Sequence, residues 1–220
     1  MNIRMFRNET FILLFTLSLA SGICSGQKTW WGEYSVFAGG GGNDIFRFEE
    51  LIGSGSVTGT GMWIAGFDMR RLFGDHFSVE SGFSYSHQYF YTSPAPGISG
   101  EDRPGTFGML TIPLKARVDF LKLFFADAGV LFAVQPDISN DFNMTGLGVT
   151  LGAGFQYNFP ADVFIRVRAY GSQYGLLHLP KEDHPRTLSN AGVTLGVGYR
   201  FIYLGRCNCP DDHMPRRRFH

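Results

Sequence analysis

The alternation of side chains near the end of the chain is the feature that most restricts its fold. Between Ala191 and Phe201, apolar side chains occupy every second position and end in two aromatics, Tyr199 and Phe201. Glycines, Thr194 and Arg200 fill the positions between them. A period of two is that of a β-strand. An apolar face that closes in aromatics, with small and polar residues behind it, is typical of a strand that turns its apolar side to lipid.

The same alternation recurs along the chain, so we expect about eight strands. Long Gly-, Ser- or Pro-rich connections alternate with short ones, and the long ones lie near 43–58, 92–105, 136–145 and 175–188. This pattern predicts an all-β fold, an eight-stranded antiparallel up-and-down transmembrane β-barrel with short periplasmic turns and longer outer loops. A proline within the fourth strand, Pro113, predicts a bulge. The expected strands are 33–41, 59–70, 76–91, 106–120, 123–135, 146–159, 163–174 and 189 onward.

The composition agrees with a membrane barrel and not with a bundle of membrane helices. The 220 residues include 29 glycines, and only 17% of residues are charged, against about 25% in an average protein. Mean hydropathy is −0.02, because every second residue of a barrel strand faces a polar interior. A formal net charge of +0 gives no reason to expect a nucleic-acid partner.

The two ends of the chain predict export and a tail. Arg4 and Arg7, a short apolar run and then small residues have the order of a secretory signal peptide, which we assign to residues 1–26. We assign residues 27–204 to the barrel and 205–220 to a periplasmic tail. We expect the mature protein in the bacterial outer membrane with both termini in the periplasm, because an even number of strands returns the chain to its starting side.

A soluble barrel of the lipocalin kind is the main structural alternative. It also has about eight strands, but its apolar face lies inside around a small hydrophobic ligand. Alternation alone does not distinguish the two. The signal segment, the terminal aromatics on the apolar face and the glycines behind them favour the membrane barrel.

Ten charged side chains share the face opposite the large apolar residues, which predicts a charged barrel interior. An eight-stranded barrel is just wide enough for side chains to fill it, and charges in such a space must pair. We therefore expect a structural plug, in preference to a proton path or an ion-selective lumen. The predicted cluster comprises Asp68, Arg70, Glu80, Lys115, Arg117, Asp119, Asp127, Arg166, Arg168 and Arg200.

Neither the histidines nor the cysteines form a pattern that predicts catalysis, a cofactor or a metal site. His87 lies near Ser84 and Ser86 but on the other face of its strand, and His178 and His184 belong to a loop. A Ser-His-acid triad is recognised by its geometry, which sequence spacing does not show. Cys207, Cys209 and His213 are a weak zinc signal, because a structural zinc site needs four ligands.

Five short motifs follow one another across residues 33–201: LTIPLK at 110–115, ADAGV at 126–130, GAGFQY at 152–157, RAYG at 168–171 with YGL at 174–176, and YRF at 199–201. In order and spacing they resemble the PorT-like group of outer-membrane β-barrel domains. The resemblance implies an outer-membrane barrel. It does not imply a role in protein secretion, because the group is functionally mixed.

The function that we expect is that of a small integral outer-membrane protein without catalysis, either a structural component of the envelope or the membrane subunit of an assembly or secretion complex. Expected partners are outer-membrane lipid, the barrel-assembly machinery during biogenesis and other envelope proteins. The alternatives are a lipid-modifying enzyme, a narrow channel and the lipocalin-like binder.

Overall fold

Eight long strands make up almost all of the structure. The computed structural model describes residues 30–47, 56–73, 76–94, 97, 100–121, 123–136, 143–178 and 186–203. The predicted signal segment, 1–26, and the predicted tail, 205–220, lie outside them. The strands are β1 Trp30–Arg47, β2 Val57–Leu72, β3 Phe77–Thr92, β4 Arg103–Phe120, β5 Phe124–Val134, β6 Gly146–Asn158, β7 Val163–His178 and β8 Arg186–Tyr203.

The strands close into one barrel in sequence order. Each strand is hydrogen-bonded to the next, and β8 returns to β1. The pairs from β1–β2 to β7–β8 are all antiparallel. The eight-stranded antiparallel up-and-down barrel predicted from the alternation is therefore confirmed. Within the described residues, no helix is long and apolar enough to cross a membrane.

The apolar side chains cover the outside of the barrel. Phe83, Leu151 and Ile112 expose 60%, 68% and 54% of their surface, whereas their strand neighbours on the other face point into the interior. Charged residues such as Glu80 are buried there. The alternative of a soluble lipocalin-like barrel requires the opposite arrangement and is wrong.

The strands extend further than the apolar alternation predicted, and mainly at the end where the long loops lie. β1 continues to Arg47, where the pattern ended at residue 41, and β7 continues to His178, where it ended at residue 174. The backbone ladder does not need apolar side chains once the strands leave the lipid, so the pairing outlasts the pattern. The other end has the short connections 73–76, 121–123 and 159–162.

The bulge expected at Pro113 is absent. The pairing of β3 with β4 keeps the same register on both sides of Pro113, and Pro113 itself lies opposite Leu131 on β5. Proline lacks an N–H group, but its carbonyl oxygen is still satisfied, since it accepts a hydrogen bond from Ser81 Oγ at 2.9 Å. The register shifts instead between Gly59 and Gly61 and between residues 147 and 149.

The bulge on β2 is held by a buried amide from the neighbouring strand. Gly61 has a φ of 151°, and its N–H group donates to Asn43 Oδ1 at 2.8 Å. The Asn43 amide nitrogen donates to Gln88 Oε1 at 3.0 Å and to the carbonyl oxygen of Tyr89 at 3.1 Å. This side chain therefore links three strands where the β2–β3 ladder is interrupted.

The three consecutive aromatic residues at 89–91 do not share one face of β3. Tyr89 and Tyr91 are exposed on the outer face, but Phe90 is buried inside the barrel. The period of two requires this result, because consecutive residues of a strand point to opposite faces.

A charge placed on the outer face distinguishes a lipid-facing surface from a water-facing one. Leu151 lies on β6, near the middle of the strand, whereas the exposed Tyr157 lies at its short-turn end. Because a membrane-spanning strand has about 9–11 residues, Leu151 lies near the bilayer midplane. We expect Leu151→Arg to reduce the free energy of unfolding by about 2–4 kcal/mol, as for an arginine near the bilayer midplane. Urea unfolding in phospholipid vesicles measures it.

Leu177→Arg is the matched control, because Leu177 is as exposed but lies near the loop end of β7. We expect a change of about 0–1 kcal/mol there. Equal effects at the two positions would contradict the lipid-facing assignment.

A charged interior as the candidate functional site

Charged side chains fill the half of the barrel interior that lies nearer the short turns. In the described strands, every strand except β6 contributes at least one, always at an inward position of the two-residue period. All ten residues of the sequence-predicted cluster point inward and take part in ion pairs. Eight are buried, and Asp119 and Arg200 are 27% exposed.

Arg166 lies at the centre of this interior. Its two terminal nitrogens are 2.7 Å from Glu80 Oε2 and 2.6 Å from Asp68 Oδ2, and the second also donates to Ser35 Oγ at 3.1 Å. Lys115 donates to Glu80 as well, and its Nζ lies 3.6 Å from Asp68 Oδ1. Two carboxylates thus share two cations, where a single unpaired ion would be costly.

A second buried pair joins β7 to β5. Arg168 Nε donates to Asp127 Oδ2 at 2.7 Å, and Arg168 Nη2 donates to Asp127 Oδ1 at 2.5 Å. This two-point contact is the strongest common geometry for a guanidinium and a carboxylate. Gly152 on β6 leaves room for it, because a Cβ atom at that position would lie 2.7 Å from Arg168 Nε.

Glu33 organises the cations closest to the short turns. It accepts from Arg70 Nη1 at 2.8 Å, from Arg200 Nη2 at 2.6 Å and from Gln156 Nε2 at 3.2 Å. Glu33 is not among the ten residues of the cluster predicted from the sequence. The glycine run at 39–42 leaves β1 with a weak alternation, but the pairing of Glu33 with Arg70 across β1–β2 shows that its phase places it inside.

Asp119 and Arg117 are further charged residues at the short-turn end of the interior. Asp119 contacts Arg70 and accepts from Arg117 Nη2 at 2.7 Å. The same Arg117 nitrogen donates to Gln156 Oε1 at 2.8 Å, and its guanidinium lies 3.7 Å from the centre of the Phe125 ring. With Glu33 included, five carboxylates and six cations face one another in the described interior, so the charge is nearly balanced.

An apolar cluster occupies the interior at the loop end. One of its members, Met144, belongs to the segment before β6 and is completely buried. Its N–H group donates to Gln135 Oε1 at 3.1 Å, and the Gln135 N–H group donates to Thr145 Oγ1 at 3.1 Å. These bonds fold the segment into the mouth of the barrel. The cluster comprises Ile45, Phe90, Phe107, Met109, Leu131, Ala133, Met144, Tyr174 and Leu188.

A small cavity lies between the charged half and the apolar cluster. Its walls include Asp68, Lys115 and Arg168 from the charged half, and Leu131 and Tyr174 from the cluster. Its volume is about 40 Å³, which is room for a few water molecules. Asp68 Oδ1 has no hydrogen-bond partner among the described residues, and Lys115 Nζ lies 3.6 Å from it.

The histidines considered as catalytic candidates do not lie together in the described residues. His87 lies on the outer face of β3, and the ring of His178 contacts the carbonyl oxygen of Arg186 at 2.9 Å; His184 lies outside the described residues. No group of three His, Cys, Asp or Glu side chains in the described part could hold a metal ion. The weak zinc signal, Cys207, Cys209 and His213, lies beyond that part.

The sequence matches the model of the outer membrane protein beta-barrel domain over residues 14–201. No curated protein matches it. Two outer-membrane proteins are among the solved structures that share the fold. One is the crystal structure of the outer membrane protein OprG from Pseudomonas aeruginosa, with a TM-score of 0.51, 12% identity and coverage of 80% of this chain and 97% of that chain.

The other is the solid-state NMR structure of the outer membrane protein AlkL in DMPC bilayers. Its TM-score is 0.52 and its identity is 11%, with coverage of 83% of this chain and 94% of that chain. At such identities the likeness extends to the barrel and not to what the protein does.

Removing the central cation tests how much the barrel depends on interior pairing. We expect Arg166→Ala to lower the free energy of unfolding by about 3–5 kcal/mol, because Asp68 is left with Lys115, and Glu80 with Lys115 and the more distant Arg117. Arg200→Ala is the matched control at a partly exposed pair, and we expect about 1 kcal/mol or less. Denaturant unfolding in vesicles measures both variants; similar losses would mean that burial of the pair does not matter.

The close approach of Gly152 to Arg168 gives a second test. Gly152→Ala should displace the guanidinium from Asp127 and cost about 1–3 kcal/mol of unfolding free energy. Gly42→Ala is the control, because nothing lies within 4 Å of a Cβ atom added there. If both alanine variants unfold at the same denaturant concentration, the Arg168–Asp127 geometry does not constrain β6.

Proposed function

The chain belongs to the outer membrane protein β-barrel domain family, and we propose that within it this protein is a plugged, non-conducting barrel with a structural role and no catalysis. The observation that carries the proposal is the two-layer filling of the interior. The charged network lies nearer the short turns and the apolar cluster lies at the loop end. An ion crossing the barrel would have to break buried ion pairs and then pass a layer of Phe, Met and Leu side chains.

The proposal extends to the surroundings of the barrel. The long loops face outward, both termini are periplasmic, residues 1–26 are removed as a signal peptide, and the tail at 205–220 stays in the periplasm. Outer-membrane lipid surrounds the apolar face. The barrel-assembly machinery inserts the chain, and other envelope proteins bind its loops or tail. Membership of the narrower PorT-like group is part of this proposal, on the motifs quoted above.

The interior layers support a structural barrel better than a channel. A selective pore needs a continuous wet path with sites that bind ions weakly enough to release them. Here Arg166, Glu80 and Asp68 bind one another, and Met144 lies buried at the opposite end. The charges then serve to fill and fix the barrel.

Conductance in planar bilayers tests the proposal. We expect the wild-type protein to give no single-channel steps under conditions in which a general porin conducts. Opening one layer should leave it silent, either with Glu80→Ala/Arg166→Ala or with Phe107→Ala/Met144→Ala. Combining all four substitutions opens both layers and should produce conducting steps.

Each variant is first shown to be folded by a compact gel band that shifts on boiling. Steps from the wild-type protein would refute the plug. A folded quadruple variant that stays silent would show that these two layers are not what closes the barrel.

A further inference from the structure

A cluster of polar aromatic side chains lies on the outer surface of β2 and β3. We call Trp63, Tyr85, His87 and Tyr89 the outer aromatic patch. The Trp63 and His87 rings stack with centroids 6.1 Å apart, and His87 meets Tyr89 edge to face at 5.0 Å. Trp63 also contacts Tyr85 at 5.5 Å. The four rings therefore form one continuous surface.

The patch lies at the loop-side edge of the lipid-facing belt. The exposed Phe77 begins β3 at the short-turn end, and a membrane strand spans about 9–11 residues, which brings the other edge to the level of His87. Tyrosine and tryptophan favour this depth because they have an apolar ring and a polar tip. Among the described outward positions of the loop-side half, every Trp and Tyr lies on β2 or β3, so the feature is confined to one side.

His87 is an ionisable side chain on a surface that is otherwise apolar. Its Nδ1 is 3.5 Å from Tyr85 OH, and the Tyr85 ring covers Gly108, where an added Cβ atom would meet that hydroxyl oxygen and lie 3.0 Å from two ring carbons. The contact engages Nδ1 of the imidazole and leaves Nε2 for an external partner. Ionisable groups at membrane depth are costly and mark sites of function.

We propose that the outer aromatic patch binds the phosphate group of a lipid in the leaflet on the loop side of the barrel. The His87 imidazole donates an Nε2–H hydrogen bond to a phosphate oxygen, and the charge of the phosphate strengthens this bond. The tips of Trp63 and Tyr89 surround the headgroup, and their rings contact the first part of the acyl region. This inference depends on the lipid-facing position of β2 and β3 and is independent of the plug.

Native mass spectrometry of the full-length protein in detergent tests the proposal, with phosphatidic acid as the probe. We expect phosphatidic acid to bind more tightly than phosphatidylcholine, and His87→Ala to weaken its binding about tenfold, as for the loss of one charge-assisted hydrogen bond. His76→Ala is the control, because His76 is an exposed histidine at a short turn. Equal binding by the two variants would overturn the proposal.

Two further measurements distinguish a lipid-binding site from a site for free anions and report binding at the patch itself. Inorganic phosphate should not displace the lipid, and displacement at equal concentration would mean a free-anion site instead of a lipid site. In a Trp30→Phe/Trp31→Phe background, Trp63 is the only tryptophan, and its fluorescence should change when phosphatidic acid is added. If His87→Ala does not fold, Tyr85→Phe replaces it, with a smaller loss of affinity expected. A Tyr85→Phe variant with unchanged affinity and an unresponsive Trp63 would also refute the site.

Discussion

A backbone N–H or C=O group that faces lipid has no water to bond to, and this constraint determines the rest of the structure. It excludes an open sheet edge within the membrane, so the eight strands must close on themselves. Closure at this strand number leaves an interior just wide enough for side chains. Because alternate residues face lipid and interior, each strand must then be apolar on one face and compact or paired on the other.

The interior charges must pair because closure of the barrel buries them, but these pairs do not contribute mainly to the free energy of unfolding. A buried ion pair often contributes no more than well-packed apolar residues of the same size. The pairs instead specify the register. If β7 slipped by one residue, Arg166 and Arg168 would move from Glu80, Asp68 and Asp127 into the lipid, at about 2–4 kcal/mol for each arginine. Arg166 and Arg168 therefore reach their ion-pair partners only when β7 is in the correct register.

The sequence predicted the parts of the molecule that depend on periodicity. The strand number, the closed antiparallel order and the inward phase of residues such as Arg166 and Asp127 all follow from a period of two. The partners did not follow, because Arg166 on β7 reaches Glu80 on β3 across the interior, and only the closed geometry brings them together. Glu33 was missed because glycines weaken the pattern of β1. The Pro113 bulge was wrong because the carbonyl of Pro113 finds a side-chain donor, Ser81 Oγ, without any change of register.

The loop end of the interior is filled by different kinds of side chain from those in the charged half. Eight members of its apolar cluster are inward residues of the strands, and the ninth, Met144, lies outside the regular strands and is held by Gln135. Alternation could not have indicated Met144. The two halves are thus filled by different means, one by ion pairs between strands and the other by apolar strand residues together with one residue of a connecting segment. The plug that we propose leaves recognition to the outer surface and the loops, and the one-sided aromatic patch on β2 and β3 is a feature of that surface.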